Sequence, residues 1–114
     1  MHLLRINPTA KQDLFDIKEY ITDEFDNPSA AINVVSKIVN SYEKLKEFPM
    51  LGGDLASKIN IVTDYRYLIT GNYIIFYKVD EVYVSIYRIL YAKRDYTKIL
   101  FVNKNIEGNE EHDE

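Results

Sequence analysis

Residues 65–91 read YRYLITGNYIIFYKVDEVYVSIYRILY, from Tyr65 to Tyr91. This run decides the fold. It is rich in β-branched and aromatic residues, which fit a pleated sheet better than a helix. Thr70-Gly71-Asn72 and Asp80-Glu81 interrupt it at turn-like positions. The spacing predicts three strands: Tyr65 to Ile69, Tyr73 to Val79 and Val82 to Tyr91. Joined by two tight turns, they make an antiparallel meander, in which the outer strands flank the middle one and run parallel to each other.

Upstream the period becomes helical. Leu3-Leu4-Arg5-Ile6 reads as a short strand, and Asn7-Pro8 supplies an N-cap followed by a proline at the first helical position. Ala10, Leu14, Ile17, Ile21 and Phe25 then form one apolar stripe. Asp13, Asp16, Glu19 and Asp23 read as a solvated helix face rather than an acid/base pair. Asn27-Pro28 repeats the punctuation and opens a second helix, with Ala31, Val35, Ile38, Tyr42 and Leu45 on its apolar face and Phe48-Pro49 as its stop. Residues 49–60 read as a loop, broken most strongly at Gly52-Gly53. Downstream, Asp95 caps a short helix over Tyr96 to Phe101. The expected fold class is α+β, in the order β-α-α-β-β-β with a short C-terminal helix. The helical hairpin packs on one face of the meander, and the other face is expected to stay open. A single domain over residues 1–102 and an acidic, disordered tail over 103–114 are expected.

The chain has 114 residues, 46% hydrophobic and 28% charged, which suits a globular domain. It has no cysteine, which excludes disulfides and thiolate chemistry. Its two histidines, His2 and His112, stand at opposite ends, so a histidine metal site or His-based triad is not expected. No metal and no organic cofactor is expected. No apolar run approaches the roughly 20 residues of a membrane span, and Arg5 and Asn7 interrupt any signal-like segment. A cytoplasmic location with no membrane partner is the expectation.

The formal net charge of −4 argues at face value against nucleic acid. Its distribution does not. Residues 1–57 carry −3, residues 58–104 carry +4 and residues 105–114 carry −5, and eight of the ten tyrosines lie between Tyr65 and Tyr96. Arg66, Arg88, Lys93 and Arg94, with Tyr73, Tyr77 and Tyr96, are therefore the candidate target-binding residues: cations for phosphate, phenols for stacking on bases. They are expected to meet across one sheet face as a basic, aromatic groove. Arg88 shares the alternation of Val84 and Ile86, so it either emerges at the sheet edge or takes a partner such as Asp64 or Asp95. The bland reading stands beside this one: strand tyrosines often serve packing, and strand arginines often pair across strands.

Three segments, in order, resemble the RelE/ParE superfamily of toxins from bacterial type II toxin–antitoxin systems. They are Leu4-Arg5-Ile6-Asn7-Pro8 with Ala10, Asp13-Leu14 and Ile17; Tyr65 to Leu68 with Gly71 to Val79; and Val84 to Asp95. The resemblance covers roughly residues 3–101. It implies a growth-arresting toxin, neutralised by a cognate antitoxin that covers basic surface and apolar helix grooves, Arg66, Arg88 and Arg94 among the shielded residues.

ParE-like members bind and poison DNA gyrase. RelE-like members act on the ribosome and cleave mRNA without metal. For cleavage, the resemblance makes Arg66, Arg94 and Tyr91 the catalytic candidates. The ribonuclease pattern is incomplete, however. Its middle-strand arginine falls at Ile74, its C-terminal tyrosine at Leu100, and Tyr91 stands where many relatives carry histidine. A phenol with pKa near 10 is a poor general base at neutral pH. Gyrase poisoning is therefore the favoured reading, ribosome-dependent mRNA cleavage the alternative, and a degenerate, non-toxic or RNA-binding module the third.

Overall fold

Two asparagine–proline pairs set the helical hairpin. The computed structural model describes residues 1–101. Strand β1 (Leu3–Ile6) runs into Asn7, whose side chain accepts from Thr9 N at 3.2 Å and caps α1 (Pro8–Phe25). Asp26, left-handed at φ 47°, ends that helix. Asn27 then accepts from Ala30 N at 3.1 Å and caps α2 (Pro28–Glu43). Each such cap contributes about 1 kcal/mol. A 3₁₀ turn, Lys44–Lys46, extends α2 and carries Leu45 into the core.

Residues 49–60 are more ordered than the expected loop. They hold a two-residue strand, β2 (Gly53–Asp54), and a short helix, α3 (Leu55–Ile59), ended by Asn60 at φ 57°. The cause is tertiary: Leu55 is fully buried against the sheet, and that burial outweighs the weak helical propensity of so short a segment.

The meander forms as expected: β3 (Arg66–Thr70), β4 (Tyr73–Val79) and β5 (Tyr83–Tyr91), with Gly71 at φ +58° in the first turn. The sheet order is β1-β5-β4-β3-β2, with β1 parallel to β5 and the other pairs antiparallel. A short helix α4 (Tyr96–Leu100) follows, its N-terminus capped by Asp95. The acidic tail over 103–114 lies outside the described residues.

The register of β4 with β5 shifts between Phe76 and Tyr77. Phe76 faces Arg88 and Tyr77 faces Ile86, so Tyr87 is an extra residue in β5. A bulge reverses the alternation beyond it. Val84 and Ile86 join the helix-side core, and the next residue to do so is Ile89, not Arg88. The expectation that Arg88 continues the Val84–Ile86 face is corrected for this reason.

Arg88 does take a carboxylate partner, but it is neither Asp64 nor Asp95. Its Nε donates to Asp13 Oδ2 at 2.8 Å and its Nη2 to Asp13 Oδ1 at 2.9 Å. Asp13 also accepts from Ile89 N at 2.9 Å. Asp13 is therefore not on the solvated face of α1; only 8% of it is exposed. The hydrogen bonds with Asp13 raise the pKa of Arg88, against the opposing effect of burial. Phe25 departs in the opposite sense. Read as core, it stands 66% exposed at the end of α1.

The second sheet face is not open. Ile74, Phe76, Leu90 and Leu55 form a separate buried cluster. Residues of α3 and α4, with Tyr65, Tyr67 and Phe101, pack over it. The sheet is thus covered by the long hairpin on one side and two short helices on the other. Among the described residues, no helix is long and apolar enough to cross a membrane.

Candidate functional site

A groove opens between the helical hairpin and the far end of the sheet. Its volume is about 650 Å³. Ile17, Tyr20, Ile21 and Phe25 of α1 form one wall, with Ala30 and Val34 of α2 beside them; Tyr73, Ile89, Leu90, Tyr91 and Arg94 form the other. Tyr20 is 59% exposed, so the groove presents aromatic surface to solvent. The Tyr73 and Tyr91 rings meet edge to face, with centroids 5.9 Å apart. Burial raises the Tyr73 pKa, further from the phenolate.

Of the residues expected from the sequence, this groove gathers Tyr73, Tyr91 and Arg94. Arg88 adjoins it through Asp13, which also lines the groove. Lys93 is exposed in the turn after β5. The others do not join. Arg66 Nη2 donates to Gly52 O at 2.7 Å and to Met50 O at 3.4 Å, and its Nε is buried without a partner. Tyr77 is fully buried; its hydroxyl donates to Pro49 O at 2.9 Å and accepts from Gly52 N at 3.0 Å. Together Arg66 and Tyr77 clasp the 49–52 segment. Tyr96 packs on Phe76, centroids 5.1 Å apart, on the second face. Arg66 pairs with Tyr77, whereas Thr70 pairs with Tyr73 at the groove end. Four residues of strand separate the two ends, about 13 Å. The single basic, aromatic face uniting Arg66, Arg88 and Arg94 is not formed.

Tyr20, Phe25, Asp13 and Asp16 line the groove without having been singled out as site residues. Tyr20 carried a signal, as an aromatic residue among the charges of α1. Asp13 belongs to the first segment of the resemblance, but its pairing could not be read, because its partner lies 75 positions away.

Two positions at which the resemblance expects a basic residue and a phenol are apolar and packed here. Ile74 is buried in the second core, and Leu100 packs against the same cluster. Among the described residues no group of three or more His, Asp or Glu side chains is placed to hold a metal ion.

The sequence profile of the ParE toxin of type II toxin–antitoxin systems, parDE, matches residues 4–96. The chain belongs to the ParE toxin family, within the RelE/ParE superfamily. The matched region runs from β1 to the first residue of α4. This ParE-family chain is similar to a solved structure of the chromosomal ParDE toxin–antitoxin system from P. aeruginosa, with 22% identity and a TM-score of 0.68 over 82% of this chain and 98% of that one. It is also similar to the toxin–antitoxin complex RelBE2 from Mycobacterium tuberculosis, with 19% identity and a TM-score of 0.52 over 79% and 96%. At these identities the likeness establishes the fold. No curated protein matches this sequence.

The placement of the arginines in this ParE-family toxin has a testable consequence. Arg66→Ala removes the donor that holds the Met50 and Gly52 carbonyls and is expected to cost about 1–3 kcal/mol of stability. Arg94→Ala, at an exposed position, is expected to stay within about 0.5 kcal/mol. Chemical denaturation of both variants checks the difference; equal stabilities would contradict the structural role of Arg66.

Proposed function

We propose that this toxin arrests growth by binding and poisoning DNA gyrase, without nuclease chemistry, and that a cognate antitoxin neutralises it by seating a segment in the α1–α2 groove. The observation that carries the first half is the second sheet face. Where the ribonuclease branch has a basic residue and a phenol, this chain has Ile74 and Leu100, packed in one apolar cluster under α4. Arg66, the other cationic candidate for cleavage, is tied to the 49–52 segment. Tyr91 and Arg94 are left in the groove without the rest of a cleavage site. The antitoxin reading rests on the groove's apolar and aromatic lining and on the exposure of Tyr20 and Phe25. Large apolar side chains clustered at a surface mark interaction sites. Two solved structures similar to this chain come from toxin–antitoxin systems.

Inducing the toxin in cells without its antitoxin tests the choice between mechanisms. Growth is expected to stop, and primer extension on translated mRNA is expected to show no cuts within the A-site codon. Codon-phased cuts that appear with induction would support the ribonuclease reading instead. Growth unaffected by the folded protein would support the degenerate module.

A further inference from the structure

The groove carries exposed charges of opposite sign on facing walls. Asp16 stands on α1, and Arg94 on the turn that leaves β5. None of the ion pairs among the described residues includes either one. Asp16 accepts one hydrogen bond, from Gln12 Nε2 at 2.9 Å. Both charges therefore face the groove without an opposite charge of their own.

The backbone bordering the groove narrows the kind of occupant. Beyond β1, part of the edge of β5 is already engaged. Asn7 N donates to Ile86 O at 2.9 Å, Ile89 N donates to Asp13, and Arg94 N donates to Tyr91 O at 3.0 Å. A peptide joining as an extra strand would find these groups taken. A helix satisfies its own backbone and offers an aliphatic ridge to the apolar walls. The groove therefore suits an amphipathic helix.

Resting on the reading that this groove seats the antitoxin, we propose that Asp16 and Arg94 determine which antitoxin is accepted. The bound helix carries an acidic side chain opposite Arg94 and a basic one opposite Asp16, flanking its aliphatic ridge. The apolar walls supply adhesion but discriminate poorly, since any ridge of similar size fits them. The paired charges supply the rejection: a helix with the wrong charge order places like charges together and desolvates them.

The test uses the full chain and its full-length cognate antitoxin, with affinity measured at low and moderate salt. The double variant Tyr20→Ala/Phe25→Ala removes exposed aromatic wall and reports on the groove itself. It is expected to weaken binding at least tenfold. Asp16→Lys and Arg94→Glu are each expected to weaken binding about tenfold, more at low salt. One acid-to-lysine substitution in the antitoxin is expected to restore Arg94→Glu and not Asp16→Lys. If the aromatic variant weakens binding while both charge variants bind as the unmodified chain does, the charge proposal is overturned and the groove reading stands. Charge variants that weaken binding but are rescued by no antitoxin substitution also overturn it. If the aromatic variant binds unchanged, the groove reading fails and the charge proposal with it.

Discussion

Asp13→Ala is expected to remove about 3–5 kcal/mol of unfolding free energy, the usual cost of breaking a buried ion pair from one side. The substitution leaves the part-buried Arg88 guanidinium without its carboxylate and orphans the buried Ile89 N–H. With total stability of about 5–15 kcal/mol for a domain, that loss brings the chain close to unfolding at ambient temperature. Replacing both charges, as in Asp13→Leu/Arg88→Met, is expected to cost less than either single change. The buried charge is then gone, and mainly the unpaired Ile89 N–H remains, at about 1–3 kcal/mol. Urea unfolding of the single and double variants measures this ordering. A single-variant loss below 1 kcal/mol, or a double variant worse than both singles, would show that the pair does not hold α1 to the β5 bulge.

The second large effect lies at Gly52. A Cβ there would sit 2.1 Å from the Tyr67 carbonyl oxygen and 2.7 Å from the Tyr77 hydroxyl. The carbonyl belongs to backbone and cannot rotate away, so Gly52→Ala must displace the segment that Arg66 and Tyr77 clasp. The expected cost is about 3 kcal/mol, at the upper end of ordinary overpacking. Gly71→Ala is the natural comparison. A Cβ at Gly71 meets nothing within 4 Å, and the strain comes only from its positive φ, about 1–2 kcal/mol. Thermal melts of the two variants should rank Gly52→Ala as the more damaging. The reverse order would contradict the close approach of the 49–52 segment to β3.

Much of the fold is legible in the sequence because its signals are local. Asn7-Pro8 and Asn27-Pro28 mark helix starts through their own geometry, and Gly71 and Asp80-Glu81 mark the hairpin turns. What escapes is set by distant partners. The extra residue at Tyr87 puts Ile89 rather than Arg88 in the helix-side core, and no composition signal announces a one-residue bulge. Asp13 resembles any surface acid of α1 until Arg88 and Ile89 are brought to it. Leu55 helps close the second sheet face, yet it sits in a segment too short to show periodicity. The candidate site divides in the same way. Arg94 could be proposed from its place after the last strand, and Tyr91, at the end of that strand, from the resemblance. Arg66 and Tyr77 are basic and aromatic like surface residues, but the 49–52 segment folds over them.

The proposed mode of toxicity places no burden on an acid or base, because binding to gyrase would be enough. DNA supercoiling by purified gyrase, measured with increasing amounts of the purified chain, tests this most directly. Supercoiling is expected to fall as the chain approaches stoichiometry with gyrase, and to recover when the cognate antitoxin is added. Supercoiling that stays unchanged at stoichiometric excess of a correctly folded chain would contradict gyrase as the target.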